Sequence, residues 1–103
     1  MRTRKVITLE QASEDLRAGR EFYNALEEDA GLYFIDSLFS DIESLRIHAG
    51  IHSNRFGFYR LLSKRFPFAI YYDITNDVVR VGAILDMRRD PASIQEELVQ
   101  REH

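Results

Sequence analysis

The chain has 103 residues, of which 45% are hydrophobic and 30% charged, which suits one folded domain over 1–103 and excludes a disordered polymer. It has no cysteine, so a disulfide framework, a thiolate metal site and a cysteine nucleophile are excluded. No apolar run approaches the roughly 20 residues that span a bilayer, so no membrane partner is expected.

The net charge of -3 hides an asymmetry. Residues 1–54 carry six basic and ten acidic side chains, residues 55–89 seven basic and three acidic, and residues 90–103 one basic and four acidic. A basic middle segment flanked by acidic ones can hold an anionic partner locally, without steering the whole molecule to nucleic acid. The basic start, Met1 to Lys5, is not followed by an apolar core segment, so a cytoplasmic protein without a signal peptide is expected.

Val6-Ile7-Thr8-Leu9 is short and β-branched and reads as a first strand. Leu9, Ala12, Leu16, Gly19, Tyr23, Leu26 and Ala30 then recur at spacings of three and four, the stripe of an amphipathic helix. Thr8 with Gln11, or Ser13, is a candidate cap, and Gly31 a candidate stop. Phe34, Ile35, Leu38, Phe39, Ile42, Leu45 and His48 or Ala49 form the stripe of a second helix, which Gly50 ends. Asp36, Asp41, Glu43 and Arg46 fill its other side. So short a connection makes the two helices an antiparallel hairpin. Glu27-Glu28-Asp29 reads as a solvated helix end.

From Phe56 the period becomes two. Phe58, Arg60, Leu62 and Lys64 alternate with Tyr59, Leu61, Ser63 and Arg65, and Pro67 separates this strand from the next. Phe68, Ile70, Tyr72 and Ile74 oppose Ala69, Tyr71 and Asp73, and Thr75-Asn76-Asp77 is a hairpin turn. Alternation then puts Val79, Val81, Ala83, Leu85 and Met87 on one face, with Val78, Arg80, Gly82, Ile84 and Asp86 on the other. Asp90-Pro91 opens a last helix whose Ile94, Leu98 and Arg101 share a side. The order β-α-α-β-β-β-α predicts an α+β fold, with the helical hairpin on one face of a small, mostly antiparallel sheet.

Several stretches together carry a family pattern. They are Asp15-Leu16, Tyr23, Gly31-Leu32-Tyr33-Phe34, the run from Arg60 through Arg65-Phe66-Pro67-Phe68 to Tyr71-Tyr72, and Val81 to Met87 followed by Arg88-Arg89-Asp90-Pro91. In these the chain resembles the RelE/ParE superfamily of small toxins from bacterial toxin–antitoxin pairs, also described as plasmid-stabilisation proteins. The resemblance covers nearly the whole chain. It implies a growth-inhibiting toxin neutralised by a cognate antitoxin that wraps around it with an extended or helical segment. It also implies one of two targets. RelE-like members cut messenger RNA inside the ribosome; ParE-like members inhibit DNA gyrase and are not hydrolases.

Metal-free RNA cleavage needs a base, an acid and cations for the charged transition state. Arg60, Lys64, Arg65 and Arg88 are the candidate catalytic cations; against this, alternating basic residues also serve merely to solvate an outer sheet face. Arg88 and Arg89, paired at a strand end, are placed to grip an acidic antitoxin or a phosphate. With Arg80 and Asp86 they form the candidate partner-binding set. The resemblance implies a C-terminal tyrosine in the nucleases, and after Pro91 this chain offers only His103. Where many members carry a histidine before the paired arginine, it has Asp86. Both departures, with the acidic balance, favour a ParE-like toxin that acts by binding, with no cofactor and no metal. His48 and His52 read as helix-end or loop histidines because Gly50 lies between them. Tyr71 and Tyr72 point to opposite faces, at least one of them into the core with a hydrogen bond. The alternatives are a RelE-like ribosome-dependent endoribonuclease and an inactive homologue that keeps antitoxin binding. A homodimer is left open.

Overall fold

The structure, a computed structural model, describes residues 2–101; His103 of the tail lies outside them. The chain order is β1 (Lys5–Thr8), α1 (Glu10–Leu26), α2 (Ala30–Glu43), α3 (Leu45–His48), β2 (Asn54–Arg55), β3 (Phe58–Leu62), β4 (Phe68–Thr75), β5 (Val78–Asp86) and α4 (Pro91–Arg101). This is the expected α+β order, except that the expected second helix breaks at Ser44 into α2 and α3 and a two-residue strand, β2, is added. The sheet runs β1-β5-β4-β3-β2; β1 is parallel to β5 and every other pair is antiparallel. No helix among the described residues is long and apolar enough to cross a membrane.

α1 buries Ala12, Leu16 and Gly19, and α2 buries Phe34, Leu38 and Ile42, so both apolar stripes face one side of the sheet. There they meet Ile70, Tyr72, Val79, Val81 and Ile84. Each fully buried large side chain contributes about 1.5–3 kcal/mol. Phe39 departs from its expected place and is 52% exposed, because it falls just past the edge of the buried stripe. Neither Thr8 nor Ser13 caps α1; the helix starts from extended Leu9, with no side-chain hydrogen bond at the cap.

Gly31 does not stop the first helix. The break is at Glu27 to Asp29, with Asp29 left-handed at φ 68°, and Gly31 lies inside α2. Its role is packing, since a Cβ there would come within 2.6 Å of the Arg20 carbonyl oxygen on α1. Gly19 does the same from the other side, where a Cβ would meet the Phe34 ring at 2.5 Å. Asp41, expected on the outer side, is buried; the β3–β4 loop covers it, and it accepts the Ser63 hydroxyl at 2.8 Å and the Lys64 N–H at 3.4 Å.

Strict alternation fails in β5. Tyr71 pairs with Ala83 but Tyr72 with Val81, leaving Gly82 as an extra residue, a β-bulge. Val79, Val81 and Ile84 therefore face the helical hairpin, while Ala83 and Leu85 face away, in place of the single row expected from Val79 to Met87. On that second face, Ile94 and Leu98 of α4 cover Phe58, Ala69, Tyr71, Ala83 and Leu85. The molecule is thus layered as hairpin, sheet and single helix.

The bulge is held from both layers. Asp15 of α1 accepts the Ile84 N–H at 2.9 Å. Arg101 donates Nη2 to Asp15 Oδ1 at 2.9 Å and Nη1 to Asp15 Oδ2, while Nη1 also reaches the Gly82 carbonyl at 3.3 Å.

Candidate partner-binding site

The end of the sheet where β5 stops carries most of the candidate residues. The Met87 N–H donates to the Pro67 carbonyl at 2.7 Å, tying the β5–α4 turn to the β3–β4 loop. Asp86, the last residue of β5, grips Arg88. Arg88 Nε lies 3.0 Å from Oδ1, Nη2 2.7 Å from Oδ2, and the backbone N–H 2.8 Å from Oδ1. These bonds hold the Asp86 carboxyl below its ordinary value, against a smaller upward push from burial, and they raise Arg88 further. Arg88 Nη2 also lies 3.5 Å from the Tyr23 hydroxyl. The Tyr23 ring stacks on Phe34 and meets Phe66 edge-on at 4.9 Å, so this side of the rim is an aromatic cluster carrying one neutralised cation.

Arg89 turns to the other layer. It donates to the Ser93 hydroxyl at 2.8 Å and lies 3.7 Å from Glu97, both on α4. The adjacent arginines thus serve opposite faces of the sheet. Lys64 and Arg65 line a small cleft with Ser37, Ser40 and Asp41, against α2. Arg80 stands apart near the start of β5, bidentate on Asp73 at 2.8 and 2.7 Å. It lies six positions along the strand from Asp86, roughly 20 Å of chain. Arg60 pairs in register with Tyr71 and faces α4. The structure therefore brings Asp86 and Arg88 together and sets Arg80 apart from them. It also sets Arg60 on the α4 side of the sheet, while Lys64, Arg65 and Arg88 lie on the helical-hairpin side.

The residue set that spacing did not reveal is a groove between the sheet and the start of α4. It encloses about 390 Å³ and is lined by Arg55, Arg60 and Arg89 with Phe56, Tyr71, Met87 and the Pro91–Gln95 turn of α4. Burial pushes the Tyr71 phenol above its ordinary value, and the nearby charge of Arg60, and less so of Arg55, acts against that push. The Tyr71 hydroxyl donates to the Met87 sulfur at 3.5 Å. Arg60 Nε is buried and has no hydrogen-bond partner among the described residues. Phe56 and Gly57 form the two-residue turn between β2 and β3, both with positive φ, 53° and 87°. For phenylalanine that conformation costs about 1–2 kcal/mol. The signal was available, because a Gly-containing pair between alternating runs marks a hairpin.

On the opposite face, the Tyr72 hydroxyl accepts the Gly50 N–H at 2.9 Å and lies 2.5 Å from His52 Nδ1. Burial, and behind it the charge of His48, lowers His52 below its ordinary value. Both histidines flank the α3–β2 connection.

With this geometry in place, comparison with solved structures finds seven matching chains. A chain of the chromosomal ParDE TA system from P. aeruginosa superposes with a TM-score of 0.72, covering 80% of this chain and 94% of that one at 20% identity. The fold is shared with a ParDE component. No family model and no curated protein sequence matches the chain. The α+β arrangement expected from the order of elements is thus the fold shared with that chain.

Proposed function

We propose that the chain is the toxin of a toxin–antitoxin pair, ParE-like, which acts by binding an intracellular target such as DNA gyrase and is neutralised by a cognate antitoxin. The fold likeness to a ParDE component supports the class. The observation that carries the choice of binding over RNA cleavage is that Arg60 stands on the opposite sheet face from the other candidate catalytic cations, and that Arg88 is already paired with Asp86. Arg60 faces α4, Lys64 and Arg65 lie beside α2, and Arg88 lies beside Tyr23 with its charge taken up by Asp86. In-line cleavage needs its cations around one phosphate, and a carboxylate beside the arginine opposes a phosphate there. Of the paired arginines, half-buried Arg89, whose carboxylate partner Glu97 stands 3.7 Å away, is the one left to meet an antitoxin carboxylate, since Arg88 is already held by Asp86.

Induction in a bacterial host, with and without the adjacent reading frame, tests this. Arrested growth rescued by the neighbour, with loss of gyrase supercoiling in vitro, is expected. Harmless expression that still gives a tight complex would identify an inactive homologue. Cuts in translated messenger RNA at the ribosomal A site, read by primer extension, would replace the binding mechanism with the nuclease one.

A further inference from the structure

The groove under α4 gathers three arginines around an apolar floor. Its arginines converge from three elements, since Arg55 ends β2, Arg60 lies in β3 and Arg89 precedes α4. Arg89 is satisfied by Ser93 and Glu97, whereas Arg60, hydrogen-bonded to Tyr71 through the rest of its guanidinium, keeps a buried Nε with no partner among the described residues. A buried, unpaired donor in a native fold calls for an acceptor from elsewhere. Phe56 is a second, independent observation. Its backbone is held in the left-handed region, and its ring lines the groove while 45% exposed. Backbone strain of this kind concentrates where a side chain is held ready for a ligand.

We propose that the groove docks an acidic peptide segment of a partner protein, with a carboxylate between Arg55 and Arg60 and an apolar side chain over Tyr71 and Met87. The proposal rests on the toxin–antitoxin reading and deepens it by placing part of the antitoxin contact on the α4 face, opposite the helical hairpin. Charge complementarity selects the occupant. The walls between the arginines are apolar, formed by Phe56, Tyr71, Met87 and Ile94. They would desolvate a hydrated polyanion at a loss but would accept an apolar side chain beside a single carboxylate. The net charge of -3 likewise disfavours nucleic acid.

The test measures affinity for the product of the adjacent reading frame, using the full chain. Arg60→Gln is expected to weaken the complex at least tenfold, and Arg55→Gln with Arg60→Gln further. Arg46→Gln, on α3 and outside the groove, serves as the control and should bind as the wild type does. Wild-type affinity in the double variant overturns the groove and leaves the toxin–antitoxin reading standing. No complex with the wild type removes that reading instead, and a titration with 4-phenylbutyrate followed by NMR then decides the groove. Shifts at Tyr71, Met87 and Ile94 that Arg60→Gln abolishes support it. Silence, or a preference for phenyl phosphate or a short oligonucleotide, overturns it.

Discussion

Arg101, at the end of the last helix, closes on Asp15 in the first, 86 positions away in sequence. Both side chains are largely buried, 9% and 15% exposed, and between them lies the Gly82 bulge whose Ile84 N–H Asp15 accepts. A bulge leaves a ladder donor without its strand partner, and here a carboxylate from one layer takes it while an arginine from the other layer neutralises that carboxylate. The pair links hairpin, sheet and α4 through one point.

Asp15→Asn should therefore be costly. It keeps an acceptor for Ile84 but withdraws the charge that faces buried Arg101, and a loss of about 2–4 kcal/mol is expected. The urea midpoint measures it. Asp15→Asn with Arg101→Met should recover part of the loss, because the second change removes a buried cation that has lost its Asp15 partner and keeps Glu97.

Leu98 is fully buried and packs α4 on the second sheet face. Leu98→Ala should cost about 2–5 kcal/mol. Amide exchange should rise in α4 and on the Phe58–Tyr71 face, and an increase spread evenly through the hairpin would contradict the layered packing.

Gly31→Ala should open the helical hairpin. The new methyl would meet the Arg20 backbone oxygen at 2.6 Å, and backbone cannot rotate away as a side chain does. A destabilisation of about 1–3 kcal/mol is expected by thermal melting.

Phe56→Asn should act in the opposite direction, since asparagine tolerates the left-handed turn before Gly57. A rise in stability of about 1 kcal/mol is expected. No gain would mean that the ring's contacts offset the strain.

The pH dependence has a definite sign. His52 is lowered in the folded state, mainly by burial, so the folded chain binds its proton less readily than the unfolded chain does. Stability is then full above the ordinary histidine value near 6.5 and falls as pH drops through that value toward the folded one. His52→Gln should remove the slope, and a proton titration of the His52 ring by NMR should give a midpoint below that of an unfolded histidine. A raised midpoint would contradict the environment described.

Much of the architecture was legible because it rests on short-range periodicity. Stripes at three and four define α1 and α2, the two-residue period defines β3 and β4, and Asn76-Asp77, both at positive φ, make the turn that their residue types suggest. What local pattern does not carry depends on distant residues. Gly31 reads as a helix stop, whereas its role is set by Arg20 of the other helix. Alternation gives β5 one row from Val79 to Met87, whereas the bulge at Gly82, where Asp15 accepts the Ile84 N–H, splits that row between two faces.

The sequence alone determined where helices and strands form, which residues are apolar enough to build the core, and that the basic charge gathers between Arg55 and Arg89. Those properties come from residues a few positions apart. Only the tertiary structure decided how that charge is used. It sent Arg88 to Asp86 and Tyr23 on one face, turned Arg89 to α4 on the other, and set Arg60 beside Tyr71 in a groove. Which face a strand residue takes, and which carboxylate lies within reach of an arginine, depend on pairing register and on layers that meet across the whole chain. Sharing one basic segment thus told nothing of whether its cations share one site.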